Sequence, residues 1–391
     1  PNEHDKCASK LSKVKGLKIG HLNVRSLHGK IDEIRFLTSK INLDILCLTE
    51  TWLHDMIDDS VVKIDGYHLI RRDRNNSTRG GGVCIYVRNI IVFSERYNLL
   101  SINVEATWIE LSLKSDKLII GCLYRPPNSD STYFDNMLNI FEKVASEDKD
   151  LVILGDFNYD YKFDAASFSD NPVNMIENLF SLTQLIHKPT RVTGTSSKCL
   201  DHILTSVPDK HILSDVAKIS LSDHYFIYTC INVNNTSKNV HNVVRFRDYK
   251  NFNENAFIDD LKHSDVLNNN CTFCIPLREK WVEWKQAFLN CCNKHAPVKE
   301  CRVKTRHCPW INSNIIKLIY KRDYLKKKYD RLKIPYLLTE YRNLRNSVTK
   351  LIRKEKREYF DSVSERYSND SKKLWKELSK ITGRGKKDSV L

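Results

Sequence analysis

The sequence predicts an α/β protein in which two packed β-sheets carry helices on their outer faces, followed by a basic, mostly α-helical tail. Three observations lead there. Strand-like apolar runs outnumber helical patterns before residue 232. Several neighbouring runs are joined by only a few residues, which demands antiparallel pairing and argues against a purely parallel, doubly wound sheet. Charge is also uneven. Residues 1–240 hold 28 Lys and Arg against 30 Asp and Glu, whereas residues 241–391 hold 35 against 18, with nearly all the excess beyond Glu300.

In chain order, residues 1–16 are polar and Lys-rich and read as a mobile basic arm. Leu17–Asn23 alternates well enough for a first strand. Ile31, Ile34, Leu37 and Ile41 have helical spacing, and Asp44–Glu50 (DILCLTE) is a second buried strand. These two strands end on Asn23 and Glu50. Arg79–Val87 (RGGGVCIYV) is a glycine turn entering a strand. No Lys-Ser/Thr and no helix start follow it, so a hairpin turn accounts for it better than a phosphate-cradling loop. Thr107–Leu113 and Lys117–Tyr124 form an antiparallel pair joined by residues 114–116, and Pro126 and Pro127 stop the second strand. Tyr133–Val144 is a helix.

Asp150–Asn158 reads DLVILGDFN. Leu151–Leu154 suits a strand buried on both faces, and Gly155 ends the run. Asp156 and Asn158 alternate around Phe157, so in extended chain both leave the strand's C-terminal end on one side. Open α/β sheets place their sites at such ends. A carboxylate can bind a cation or take a proton from water, and a carboxamide can donate to an anionic oxygen. A strand followed by an Asp/Asn turn explains the nonapeptide equally well. Val173–Phe180 is the next helix. Lys188–Lys198 is a polar loop of hairpin character, leading into a short strand, Leu200–Thr205. Lys218–Asp223 precedes a last strand, Tyr225–Ile231.

Residues 232–240 are a linker by composition. The tail, 241–391, contains four helical patterns: Leu277–His295, Trp310–Lys333, Pro335–Ser362 and Ser371–Thr382, the last ending at Gly383. Phe257–Asp260 (FIDD) imitates a polymerase aromatic-x-Asp-Asp signature but lies in a polar, helix-like segment. The twelve cysteines do not form a disulfide framework. Cys47, Cys84, Cys122 and Cys230 sit in strand-like runs as small hydrophobes, so a reducing, intracellular compartment is expected. Cys271 and Cys274 have zinc-ligand spacing, but their partner half is ragged, and zinc is not expected. No apolar run approaches the roughly 18 residues of a membrane span. The chain starts at Pro1 and is expected to be a piece of a longer sequence.

The polar residues at the strand ends form an ordered series: Asn23, Glu50, Tyr124, Asp156 with Asn158, Asp201, then Asp223 with His224. With HLNVRSL at 21–27, LTETWL at 48–53, YRPP at 124–127, GDFN at 155–158, LDHILTS at 200–206 and SDH at 222–224, residues 17–231 resemble the endonuclease/exonuclease/phosphatase superfamily. More narrowly, they resemble the endonuclease of non-LTR, Jockey-like (LINE) retrotransposons. Residues 241–391 resemble, less specifically, the segment between that endonuclease and a reverse transcriptase, which is missing here.

The resemblance implies a four-layer αββα sandwich, two mixed β-sheets flanked by helices, with the site at one edge. It implies Mg²⁺, or Mn²⁺ in its place, on Glu50 with Asn23 beside it, which suits a metal that takes one or two carboxylates plus waters. Asp156 would activate or orient the attacking water. Asn158, Tyr124 and His224 would hold the scissile phosphate. Asp201 would orient His224, and Asp223 would support the metal or the same network. The implied activity is nicking of duplex DNA to leave a 3′-hydroxyl that primes reverse transcription, in the nucleus at the time of action and with the cytoplasm as a second compartment. The basic tail would bind phosphates, including element RNA. No membrane and no small organic cofactor are implied. Many relatives carry Asp or Asn two residues after the first Asn, where this chain has Arg25. Arg25, Arg125 and Arg191 are candidate DNA contacts, residues 190–199 a candidate groove-probing hairpin, and His21 and His202 packing residues. The alternatives are an abasic-site repair nuclease or phosphatase of the same superfamily, and a catalytically silent nucleic-acid-binding remnant of a mobile element.

Overall fold

The computed structural model describes residues 2–382 apart from 75–79, 114–116, 148, 162–170, 234–242, 251, 265–276 and 303–307. The expected 114–116 turn, most of the linker and the Cys271–Cys274 pair therefore lie outside the described residues.

The chain opens with α1 (Glu3–Ser12), β1 (Leu17–Asn23), α2 (Ile31–Ile41), β2 (Ile45–Thr49), α3 (Asp59–Val62), β3 (Tyr67–Arg72), β4 (Val83–Arg88) and β5 (Phe93–Glu95). It continues through β6 (Glu105–Ser112), β7 (Lys117–Tyr124), α4 (Ser131–Ala145), β8 (Asp150–Asp156), α5 (Pro172–Phe180) and β9 (Thr183–Gln184). Then follow β10 (Arg191–Val192), β11 (Ser197–Lys198), β12 (Asp201–Thr205), β13 (His211–Ala217) and β14 (Phe226–Ile231). The tail contains β15 (Val243–Arg247), α6 (Glu254–His263), α7 (Leu277–His295), β16 (Val298–Arg302), α8 (Ser313–Leu332), α9 (Pro335–Arg366) and α10 (Ser371–Thr382).

The first sheet has the order β13-β14-β1-β2-β4-β3 and the second β5-β6-β7-β8-β12-β9. Both are mixed. Each contains one parallel pair, β1 with β2 and β7 with β8, made by a helical crossover through α2 or α4. The remaining pairs are antiparallel. Ile19, Ile45, Cys47, Ile120, Cys122, Val152 and Leu154 fill the space between the sheets. The opposite face of the first sheet packs Leu46 and Leu48 against Ile34, Leu37 and Ile41 of α2. The opposite face of the second packs Leu151 and Ile153 against Met137, Ile140 and Phe141 of α4 and Ile176 of α5. Three apolar interfaces therefore make four layers, as expected. β8 divides its side chains between two of them, which is why its apolar run is continuous.

Three local findings differ from expectation. Residues 3–12 form a helix whose His4, Cys7 and Leu11 are buried, capped by Asn2, whose side chain accepts from Asp5 N. One buried stripe on a Lys-rich helix is easily taken for a solvated arm. β3, β5, β9 and β13 are edge strands of low or broken apolarity, and edges leave little pattern in a sequence. Gly155 does not end its strand, which runs on through Asp156. A Cβ there would collide with the Leu123 carbonyl of neighbouring β7, so glycine serves a close backbone approach.

The chain divides into two compact units. The smaller, 237–306, pairs β15 with β16 and carries α6 and α7. On α7, Trp281, Trp284 and Phe288 stack in succession, and Asp260 of the FIDD stretch sits on α6, paired with Lys294 and His295. The larger unit joins 1–236 with 307–391. Within it α8 is docked by Arg322, which is 1% exposed and donates to Glu33 Oε2 at 2.6 Å and to Asp323 Oδ1 at 2.9 Å. His4 of α1 meets Asp323 Oδ2 at 2.9 Å. Trp310, Ile315, Ile319, Val348 and Ile352 form a further small core between α8 and α9. Among the described residues no helix is long and apolar enough to cross a membrane, and the described cysteines are free thiols, mostly buried.

Candidate active site

The topology gathers the site. Asn23 ends β1, Glu50 follows β2, Tyr124 ends β7 and Asp156 ends β8, so all four come from the carboxyl ends of the two parallel pairs. β12 and β14 run antiparallel to these strands and so bring their starts to the same edge. Asp201 stands directly opposite Asp156, and His224 lies just before β14.

Asn23 is fully buried, and its Nδ2 donates to Glu50 Oε1 at 2.9 Å and to Asp156 Oδ2 at 2.7 Å. Its Oδ1 accepts from Arg25 N. One amide thus ties a carboxylate of the first sheet to one of the second. Glu50 also accepts from the Tyr124 hydroxyl at 3.2 Å and from Trp52 Nε1 at 3.3 Å. All three donors are neutral, and among the described residues no cationic side chain pairs with this carboxylate. Asp156 Oδ1 accepts from Asn158 N at 3.0 Å, and Asn158 Nδ2 donates to Arg125 O at 2.8 Å.

His224 Nδ1 bonds Asp201 Oδ2 at 2.8 Å, and its Nε2 lies 3.9 Å from Asp156 Oδ2. Burial alone would lower His224, but the carboxylates of Asp201 and Asp156 outweigh it and raise it to about 9. The two carboxylates thus favour the protonated ring. The two carboxyls diverge. Burial raises Asp156, with Asp201 adding to the effect, whereas Asp201 is lowered because His224 outweighs its burial. The 2.8 Å bond decides which carboxylate owns the imidazolium. Asp156, Asp201 and His224 each bring a ligand atom within 4.8 Å of the others, a spacing at which a cation could be held. Asp223 Oδ2 accepts from Arg25 Nη1 and from Arg191 Nε and Nη2 at 2.9–3.1 Å. Burial opposes ionisation of Asp223, but His224 and the two arginines take it down to about 2.

Glu50, Tyr124, Asn158 and His224 line a cleft of about 320 Å³ together with Trp52, Arg74, Arg25, Arg191 and Asp223, while Asn23, Asp156 and Asp201 are fully buried. The backbone around it is unusual. Arg25, Ser26, Glu50, Trp52 and Asn158 all have positive φ, between 45° and 79°. Such conformations persist where surrounding structure over-determines them. Here the Gly80–Gly82 turn contributes: Trp52 N donates to Gly81 O, and Thr51 N to Gly82 O. Gly82 has φ +81°, and a Cβ on it would meet Thr51 Oγ1 at 2.6 Å.

Asn23, Glu50, Tyr124, Asp156, Asn158, Asp201 and His224 are brought together as the sequence suggests. Asp223 reaches the cleft, but its carboxylate is held by two guanidiniums. Arg125 does not fit a DNA contact: it is 5% exposed, stacks over Tyr159 at 3.9 Å and donates to Ser129 O. Its use here is its carbonyl, which holds Asn158. His21 is fully buried, as expected of a packing residue, and its Nε2 meets Thr49 Oγ1 at 3.2 Å. Its Nδ1 lies 3.7 Å from Asp201 Oδ1, behind the Asp201–His224 pair, and burial pushes it down to about 4, so it faces Asp201 as a neutral ring. His202 is enclosed, bonded to Gln184 and Tyr159 O. The series of strand-end residues also omitted Trp52, Arg74 and Ser222, whose Oγ donates to Asn23 O and accepts from His224 N. Only the Ser of SDH and the Trp of LTETWL, both inside quoted motifs, carried a signal for them.

A search among curated proteins finds no match. Among solved structures, the chain is similar to the endonuclease domain of TRAS1, a telomere-specific non-LTR retrotransposon, with 14% identity and a TM-score of 0.43 over 56% of this chain and 99% of that one. It is similar to an AP endonuclease from Archaeoglobus fulgidus, with 16% identity and a TM-score of 0.43 over 56% and 100%. It is also similar to a mannosyl-6-phosphatase from Bacteroides thetaiotaomicron, with 13% identity and a TM-score of 0.42 over 55% and 99%. At these identities the likenesses say nothing of this chain's activity. The profile of the Endonuclease/Exonuclease/phosphatase family matches residues 20–224, from β1 through His224, which is more than half of the chain, and the chain belongs to that family.

Proposed function

We propose that the chain is a metal-dependent phosphodiesterase that nicks duplex DNA and leaves a 3′-hydroxyl, the end that primes reverse transcription in a non-LTR retrotransposon. The observation that carries the reading is the contrast between Glu50, a carboxylate that meets only neutral donors among the described residues, and the nearby Asp156–His224–Asp201 network. Glu50 would hold Mg²⁺, or Mn²⁺ in its place, with Asn23 beside it. The ion would neutralise phosphate charge and stabilise the departing oxygen.

The chain's own residues do the rest. Asp156, buried and raised, takes a proton from the attacking water or aims it, a contribution on the order of 10²–10⁴ in rate. His224, as the protonated ring, holds the scissile phosphate with the Tyr124 hydroxyl and the Asn158 amide. Asp201 keeps Nδ1 of His224 engaged, so that Nε2 points into the cleft. Asp223 binds Arg25 and Arg191 at the rim, where it holds two guanidiniums toward a phosphate backbone; its support of the metal would be through this network.

The test is supercoiled plasmid with Mg²⁺ and the full chain. Glu50→Ala, Asp156→Ala and His224→Ala are each expected to lower nicking by at least about 10²-fold. Nicking that survives all three substitutions sinks the assignment. An abasic oligonucleotide cut far faster than intact duplex would turn the reading to repair, and hydrolysis of small phosphoesters alone to a phosphatase. Salt-sensitive DNA binding with no metal-dependent cleavage would leave a silent remnant.

A further inference from the structure

A second cleft, of about 480 Å³, adjoins the first and shares Arg25 and Asp223 with it. Its floor comes from the αββα layers: Arg25, Lys30, and the Leu221–Asp223 segment just before His224. Its walls come from the tail: Lys326 and Tyr329 of α8, and Tyr341, Arg342 and Arg345 of α9. The walls are firmly set. Arg322 anchors α8 to Glu33 of α2, as described above. Lys326 Nζ donates to Val192 O at 3.0 Å and Lys333 Nζ to Thr193 O at 2.5 Å, so α8 also braces the 191–198 hairpin.

The charges in this second cleft do not cancel. Its two acids are already matched, Glu33 by Arg322 and Asp223 by Arg25 and Arg191. Lys326 is matched by Asp330. What remains is cationic. Among the described residues, Lys30 Nζ donates only to the Val24 and Arg25 carbonyls. Burial pushes Lys30 down to about 8, and Arg345 and Arg25 add to that against Glu33 and Asp223. Arg342 is exposed and has no hydrogen-bond or ion-pair partner among the described residues. Arg345 is exposed, lies 6.0 Å over the Tyr341 ring and, among the described residues, donates only to the Asn346 side chain. Cations crowded without an anion suit a polyanion.

We propose that this second cleft, with Arg342 and Arg345 as its uncommitted cations and Lys30 beside them, holds backbone phosphates of the DNA strand leading away from the scissile phosphate. The tail helices α8 and α9 are then part of the nuclease's substrate surface rather than a passive connector. The proposal rests on the DNA-nicking reading above. It locates affinity in two particular arginines on α9, about 20 residues beyond the one that anchors α8.

The experiment uses the full chain, a labelled 30-base-pair duplex in EDTA, and a salt series from 50 to 200 mM. Arg342→Ala/Arg345→Ala is expected to weaken binding about tenfold at low salt. It should also reduce the slope of log affinity against log salt by about 2, one for each phosphate left without its arginine. Arg353→Ala/Arg357→Ala, which removes two exposed α9 arginines outside the cleft, is expected to change neither by as much. If the Arg342/Arg345 pair behaves like that control in a protein that still nicks plasmid, the cleft proposal falls while the nuclease reading stands. If the unsubstituted chain neither binds the duplex nor nicks plasmid, the nuclease reading itself fails and takes the cleft proposal with it.

Discussion

At the scale of single residues, the site depends on positions where one atom more or less is felt. Gly155 precedes Asp156, and a methyl group on it would collide with the Leu123 carbonyl. Gly155→Ala is expected to destabilise the fold by about 1–3 kcal/mol in urea denaturation and to reduce nicking with it, because it pushes β8 from β7 beside Asp156. Gly29→Ala, where nothing stands within 4 Å, is the near-neutral comparison. His211 tests burial in another way. Its nitrogens meet Thr229 Oγ1 at 2.6 Å and Thr205 Oγ1 at 3.0 Å, and burial pushes it down to about 4. An unfolded histidine titrates near about 6.5. Between those values the unfolded chain takes up a proton that the folded one refuses. The stability of the neutral ring is thus fully present above about pH 6.5 and is lost as pH falls toward 4. Relative to His211→Gln, the unsubstituted chain is expected to lose about 2 kcal/mol between pH 7.5 and 5, read from urea midpoints at each pH.

At the scale of elements, each parallel pair is a strand–helix–strand unit, and each delivers two polar residues to the same edge. Antiparallel β12 and β14 then supply Asp201 and His224 from the opposite chain direction. Helix α8 adds an interaction of a different kind. Its Arg322 carries a buried positive charge between Glu33 of α2 and Asp323. Arg322→Ala would leave both carboxylates buried without their cation, and a loss of about 3–5 kcal/mol is expected in urea denaturation. Lys354→Ala, which breaks an exposed α9 pair with Glu358, should cost less than about 0.5 kcal/mol. Cutting the chain at residue 240 would remove Arg322 along with the basic tail. Surface substitutions on α9 are therefore the cleaner way to ask what the tail's charge does.

At the scale of the whole molecule, charge and chemistry lie apart in sequence and together in space. The strand-end residues belong to a stretch that is close to neutral, and the excess of Lys and Arg begins beyond Glu300. Folding returns α8 and α9 to the layers that carry the site, so arginines more than a hundred residues after His224 line a cleft that shares Arg25 and Asp223 with it. The smaller unit, 237–306, lies between these segments in the chain and holds its own ion pairs and stacked aromatics.

Amino-acid order alone was enough to specify the two-sheet class, the central strands and the identity of the strand-end residues. The reason is burial. A strand enclosed on both faces must be apolar throughout, so β2, β7 and β8 read as continuous runs, and a polar residue at the end of such a run is conspicuous. Edge strands and α1 were not legible, because one half-buried face leaves only a few apolar positions. Nor could spacing reveal that His21 stands behind Asp201, that Asp223 is held by two arginines, or that the Arg125 guanidinium is stacked away from the cleft. Those are matters of direction and distance between segments far apart in the chain, and they became visible only in the folded molecule. The same holds for the packing of the basic tail against the αββα layers, because one buried arginine on α8 finds its carboxylate 289 positions earlier in the chain.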